Sequence, residues 1–193
     1  VIYPPTIQPL MKKNIPVWIK NSFQPEDEGT LIHNQPTDHK TIVAGISSIN
    51  KIVLISLEGT GMIGIPGFSK RLFEALAQAK INVVLITQSS SEHSICVGIE
   101  EVNVNRAKMV VDNAFEHEIQ QGLLDPLLVE RHLSIIAVVG DNMQNHTGIS
   151  GRMFSALGKN GINIRAIAQG SSERNISAVI STDDVRKAVN VIH

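Results

Sequence analysis

Residues 52–73 read IVLISLEGTGMIGIPGFSKRLF, and residues 133–154 read LSIIAVVGDNMQNHTGISGRMF. Each run opens rich in β-branched residues, breaks on a glycine cluster and resumes at helical spacing, with Leu72, Phe73, Leu76 and Ala79 on one face of the first. Shifted by 81 residues, 52–99 lies on 133–180 without a gap, and eighteen of those 48 positions are identical. The matches include Gly59/Gly140, Gly67/Gly148, Ser69/Ser150, Arg71/Arg152, Asn82/Asn163 and Gln88/Gln169. The chain contains a duplication, and the duplicated unit decides the fold.

Working outward, the unit is a strand over 52–57, a helix over about 68–79 and a second strand from 81 to 87. A polar turn at 89–93 leads to a hairpin partner at 94–99, and a second helix runs from about 105 to 121 with Gly122 as its stop. Ile42–Ser47 and Leu127–Arg131 each read as a strand preceding a copy. Local pattern leaves open whether that strand pairs within its own copy or completes the other. The first 41 residues do not repeat. They show a helix start at Pro4-Pro5-Thr6, a short strand over 15–19, a charged turn at 24–29, an apolar return at 30–32 and a polar linker. The division is therefore 1–41, the tail of an upstream domain plus linker; 42–122, the first copy; and 123–193, the second. The second copy is shortened, because a helix that starts at Asp183-Asp184 is still running at His193.

Composition narrows the partners. A formal net charge of -1 provides no field for nucleic acid or an anionic membrane. No apolar run reaches the roughly 18 residues of a membrane span, so a cytoplasmic location is expected. The single cysteine, Cys96, lies in an apolar run and reads as a buried small side chain. The seven histidines have no paired-ligand spacing, which predicts no metal site.

Gly59-Thr60-Gly61-Met62-Ile63-Gly64 satisfies the dinucleotide pattern G-x-G-x-x-G after a strand and before a helix. The acidic residue that pattern needs about 20 residues on is absent, and the second copy has Gly140-Asp141-Asn142-Met143-Gln144-Asn145 instead. What both copies keep is a small-residue loop entering a helix at Gly67 and Gly148, where free backbone N–H groups can hold a carboxylate or merely make a tight turn. Gln88 and Gln169 close the second strand of each copy, and a carboxamide both donates and accepts. The Ser90-Ser91-Glu92 and Ser171-Ser172-Glu173 turns lack a histidine that recurs beside them, so no serine triad and no catalytic residue is expected. Arg71 and Arg152 read as solvated or ion-paired, and Glu116, His117 and Glu118 as surface charges of a helix.

The runs Leu85-Ile-Thr-Gln-Ser-Ser-Ser-Glu92 and Ile167-Ala-Gln-Gly-Ser-Ser-Glu-Arg174 resemble the two regulatory ACT domains of aspartokinases, most closely those of bifunctional aspartokinase–homoserine dehydrogenases. Tyr3-Pro-Pro-Thr-Ile-Gln-Pro-Leu-Met-Lys-Lys-Asn-Ile-Pro-Val17 is similar to the end of that family's kinase domain, so the resemblance covers nearly all 193 residues. It implies an α+β fold of tandem ferredoxin-like βαββαβ units, antiparallel sheets with helices on one face. It implies a feedback amino acid bound where ACT domains pack side by side, between the glycine loop and the second strand. In the first copy that set is Met62, Gly64, Ile65 and Gly67 from the loop, with Asn82, Val83, Gln88, Ser89 and Ser90 from the strand and turn. In the second it is Asn145 and Gly148, with Asn163, Ile164, Gln169, Gly170 and Ser171. Lysine-sensitive members carry an acidic residue where this chain has Val84, which favours threonine over lysine as the effector. The resemblance further implies a homodimer or larger assembly through the ACT sheets, and no cofactor in this region, ATP and magnesium belonging to the parent kinase domain. The alternative is a stand-alone amino-acid-sensing or dimerisation module.

Overall fold

Two strands longer than the pattern predicts organise the fold: β3 (Gly45–Glu58, 14 residues) and β6 (Leu128–Val139, 12 residues). They belong to a computed structural model that describes residues 3–33, 42–62, 66–88, 94–141, 143, 146–170 and 174–193. β3 and β6 pair antiparallel from Gly45↔Val139 to Ile49↔Ile135, shift register around Ile52↔Leu133, and continue from Leu54↔Glu130 to Ser56↔Leu128. At the shift sit Lys51 (φ 60) and His132 (φ 63), two non-glycine residues in the left-handed region that are themselves one repeat apart. The extra residue reverses the in–out alternation. Ser47 and Ile49 before the kink thus face the same side as Ile52 and Leu54 after it, all beside Leu85 and Ile135.

The kinks let each long strand serve both copies. β5 (Ser94–Glu100) pairs with the second half of β3, and β4 (Val83–Gln88) lies outside it. β8 (Asn175–Ser181) pairs with β6, and β7 (Ala166–Gln169) closes the other edge. The six-stranded order is β4-β5-β3-β6-β8-β7. The strands expected to precede each copy are the leading halves of β3 and β6, and each completes the opposite copy: 128–130 pair with 54–56, and 45–49 pair with 135–139. Each copy thereby gains four antiparallel strands, in one shared sheet instead of two separate ones.

The glycines of the dinucleotide-like pattern have a packing role in this exchange. A Cβ on Gly59 would stand 2.3 Å from the Leu123 carbonyl oxygen, and a Cβ on Gly140 would stand 2.2 Å from that of Ile42. Leu123 and Ile42 are again one repeat apart and lead into the exchanged strands. Any side chain here would push those lead-ins off the sheet.

α2 (Phe68–Gln78) and α3 (Val104–Ala114) cover one face of the first copy, burying Leu72, Leu76, Ala107 and Val111 against Leu57 and Val97. α5 (Ile149–Lys159) and α6 (Val185–Ile192) cover the second, with Met153, Leu157 and Ala188 against Ile136 and Ala178. Fully buried aliphatics of this kind contribute about 1.5–3 kcal/mol each. A third cluster, with Ile52, Leu54, Leu133 and Val179, lies on the opposite side of the sheet. There the sheet curls until its edge strands β4 and β7 approach one another without pairing.

Three expectations need correction. The helix predicted over 105–121 is two helices, α3 and α4 (Glu116–Gln120), because Phe115 leaves helical geometry (φ -117) to bury its ring completely. Glu118 is not a surface charge, since its side chain is 17% exposed and ion-paired with Arg71. Cys96 is half-buried and faces a groove; burial pushes its thiol pKa up, while a hydrogen bond with Ser56 opposes that.

Residues 1–40 form a separate compact unit. It contains α1 (Pro4–Lys12) and a two-stranded ladder of β1 (Val17–Ile19) with β2 (Thr30–Ile32), registered Val17↔Ile32. Lys20 Nζ donates to the Pro25 carbonyl at 3.1 Å across the connecting turn.

Candidate functional site

α2 and α5 both begin on a left-handed glycine, Gly67 (φ 107) and Gly148 (φ 89), and neither has a side-chain cap. A Cβ at either glycine would meet nothing within 4 Å, so backbone conformation alone demands the residue type. The first-turn N–H groups are left without intrahelical partners at the positive end of the helix dipole, a setting suited to a carboxylate.

Beside Gly148 lies a pocket of about 220 Å³ lined by Met143, His146, Thr147, Gly148, Ile149, Ser150, Gln169 and Ile176. Met143, Ile149 and Ile176 form its buried apolar floor. Thr147, Ser150 and Gln169 supply polar groups around the uncapped helix end. The volume lies below the ~300–1,000 Å³ of sites for drug-sized ligands and suits one small metabolite. Of the expected second-copy set, Gly148 and Gln169 meet here. Met143, His146 and Thr147 fall within the loop expected to line the site in the second copy, Met143 to Gly148, whereas Ile149 and Ser150 were not singled out, although the identity of Ser69 with Ser150 was a signal in the repeat.

The remaining expected residues are distributed differently. Asn163 is exposed ahead of β7, and Ile164 lines a groove of about 720 Å³ on the concave side of the sheet. Ile164 precedes β7 and lines neither of the pockets that Gln169 lines. In the first copy Met62 is buried in the core, Asn82 is exposed, and Val83 and Gln88 line a second concave groove of about 800 Å³. Gln169 and Gly170 line that same groove, so it brings the two glutamines onto one surface between β4 and β7. Gly64, Ile65, Ser89, Ser90, Asn145 and Ser171 lie outside the described residues.

The grooves differ in charge. The 720 Å³ groove carries Glu58, Glu130 and Arg165, with Arg165 Nε 3.0 Å from Glu130 Oε1. Repeat-equivalent positions on the other groove are Val139, Ile49 and Val84. On the helical side, Arg71 donates to both Glu118 carboxylate oxygens and, at 2.6 Å, to the Ala114 carbonyl. The hydrogen bond with Glu118 raises the Arg71 pKa, and the same bond holds Glu118 below its ordinary value. Among the described residues, no three His, Cys, Asp or Glu side chains cluster as a metal site, and no helix is long and apolar enough to cross a membrane.

Residues 55–115 and 136–193 match the ACT domain family. The bifunctional aspartokinase/homoserine dehydrogenase of Haemophilus influenzae is 44% identical over 195 residues, an alignment taking in 100% of this chain and 24% of that protein. The chain thus spans about a quarter of the length of such curated relatives. Among solved structures, the aspartate kinase of Clostridium acetobutylicum superposes with a TM-score of 0.82 at 28% identity, covering 100% of this chain and 44% of that one. E. coli aspartokinase III in complex with lysine and aspartate gives 0.74 at 26% identity, covering 100% and 41%.

Proposed function

The chain belongs to the ACT-domain family, and on that premise we propose that it is the regulatory region of an aspartokinase, fused in the parent to homoserine dehydrogenase, and that it binds threonine as feedback effector. The parent forms aspartyl phosphate from aspartate and ATP, with ATP and magnesium held upstream of this region, in the cytoplasm. Residues 1–41 are the tail of the kinase domain and its linker, 42–122 the first ACT repeat and 123–193 the second.

One observation carries the effector reading. The uncapped, glycine-started helix α5 and the strand-end carboxamide of Gln169 border one pocket of about 220 Å³. The α-carboxylate takes the N–H groups of the first helical turn, and the carboxamide takes the ammonium or hydroxyl. Gly67 and Gln88 hold the equivalent places in the first copy. Asn163 and Ile164 precede β7 and line no pocket together with Gln169. Antiparallel pairing of a β4 or β7 edge with the edge of a second chain reverses that spacing, so the start of one strand meets the end of the other. The same pairing satisfies the open strand edges. A homodimer or larger assembly is therefore part of the proposal, and Asn82, Val83, Asn163 and Ile164 are its cross-chain contributors. Val84, in place of an acidic side chain, supports threonine over lysine.

Thermal unfolding of the purified chain against a panel of amino acids tests this. Threonine should raise the midpoint most, and ATP with aspartate should yield no aspartyl phosphate. A larger shift with lysine, or none with any amino acid, overturns the effector assignment.

A further inference from the structure

The duplication matches the two concave grooves position by position. Leu54, Ser56, Glu58 and Thr87 of the 720 Å³ groove stand one repeat from Ile135, Ala137, Val139 and Ala168 of the 800 Å³ groove. Glu130 and Arg165 likewise stand one repeat from Ile49 and Val84. Each of the five charged or hydroxyl side chains among these has an aliphatic counterpart on an equivalent strand. Packing of the sheet does not demand the polar set, because the apolar set serves the same backbone.

The charged groups lie at two ends of the groove. Glu130 pairs with Leu54 on β3, four residues before Glu58, an interval of about 13 Å at ~3.3 Å per residue. Cys96, opposite Ser56, stands midway. Burial raises the Cys96 thiol pKa most, and the Glu58 and Glu130 carboxylates raise it further against a hydrogen bond with Ser56, so both carboxylates act on the thiol between them. The Glu58 side chain makes no hydrogen bond or ion pair with the described residues. At the other end Arg165 Nε meets Glu130 at 3.0 Å while both side chains are half-exposed. A pair of that kind is weak, and a guanidinium has donors enough for a second carboxylate.

We propose that this groove is a second ligand site, for an elongated zwitterion with an ammonium and a carboxylate at opposite ends of an aliphatic chain. The ammonium takes Glu58, the carboxylate takes Arg165, and the chain lies over Leu54 and Leu128. Threonine carries both charges on one carbon and cannot bridge the two ends. The site is therefore independent of the effector pocket beside Gly148.

The probe is 6-aminohexanoate, titrated into the 193-residue chain, and Cys96, the single cysteine, is the reporter. At about ten times its Kd the probe should slow iodoacetamide labelling of Cys96 about tenfold. Hexylamine and hexanoate, each lacking one end, should bind about tenfold more weakly than the probe. Glu58→Gln should weaken the probe about tenfold and leave hexanoate unchanged. Glu58→Val with Arg165→Val, which copies the other groove, should abolish binding while the chain stays folded. Saturating threonine should leave the probe in place. No protection of Cys96, binding indifferent to Glu58→Gln, or displacement by threonine overturns the proposal.

Discussion

The two copies carry the same backbone devices and different side chains. Left-handed Lys51 and His132, close-packed Gly59 and Gly140, and helix-starting Gly67 and Gly148 recur one repeat apart. The side chains around them have diverged. The first copy closes its helical face with Phe115 stacked on Phe68 and with the Arg71–Glu118 pair, and the second has Ile149 in place of Phe68. One mouth of the concave side is charged by Glu58, Glu130 and Arg165, while the other is lined by Val139, Ile49 and Val84. Strand exchange explains the asymmetry. Each copy needs the other's leading strand, so the kinks and close approaches are tied to a shared ladder, while surfaces away from it are free to specialise.

The sharpest way to break this comparison is to open the closed copy. Phe115→Ala should cost about 3–5 kcal/mol in urea unfolding, because a stacked, fully buried ring leaves a cavity. A loss below about 1 kcal/mol would mean that the closure is ornamental. The kinks come next. Lys51→Val and His132→Val should each lose about 1–2 kcal/mol, since a left-handed backbone is costly and β-branching adds to it. Glycine at either site should be tolerated, and unequal valine penalties would show that the two kinks are not equivalent.

Smaller still is the ion pair. Glu118→Gln should cost about 1 kcal/mol at neutral pH, with Arg71 partly exposed. Because Arg71 lowers the folded-state pKa of Glu118, the contribution is full above the unfolded value of about 4.3 and fades as pH falls through the depressed folded value. Unfolding midpoints of parent and variant should therefore converge in acid. A gap that persists at the lowest pH would assign the effect to packing. The smallest effect separates ligands: serine should bind about fivefold more weakly than threonine, the ~1 kcal/mol of one methyl covered by an aliphatic wall.

Much of this was legible in the sequence. The repeat located both glycine-started helices, the hairpins and the two strand-end glutamines, because glycine and β-branched runs report local backbone demands. Strand partners were not legible. Residues 45–49 and 128–130 bury similar faces in either copy, and only the tertiary ladder chooses between them. The continuity of β3 through Asn50 and Lys51 was hidden for a related reason: polar residues in a left-handed kink read as a turn. Phe115 breaks its helix for a stacking partner 47 residues away, which no window of helical periodicity contains. At the site, Gly148 and Gln169 were found as repeat positions, whereas Ile149 and Ser150 needed the loop's path to bring them to the same pocket.

The central claim is that the paired glutamines belong to amino-acid sites. Titration calorimetry of threonine into the parent chain, Gln88→Ala, Gln169→Ala and the double variant addresses it directly. Each single change should weaken its own site by about 1–3 kcal/mol while leaving the unfolding midpoint without ligand unchanged, since both side chains are exposed at strand ends. The double variant should show no tight binding. If it binds threonine as tightly as the parent, the glutamines are rim residues and the site lies elsewhere.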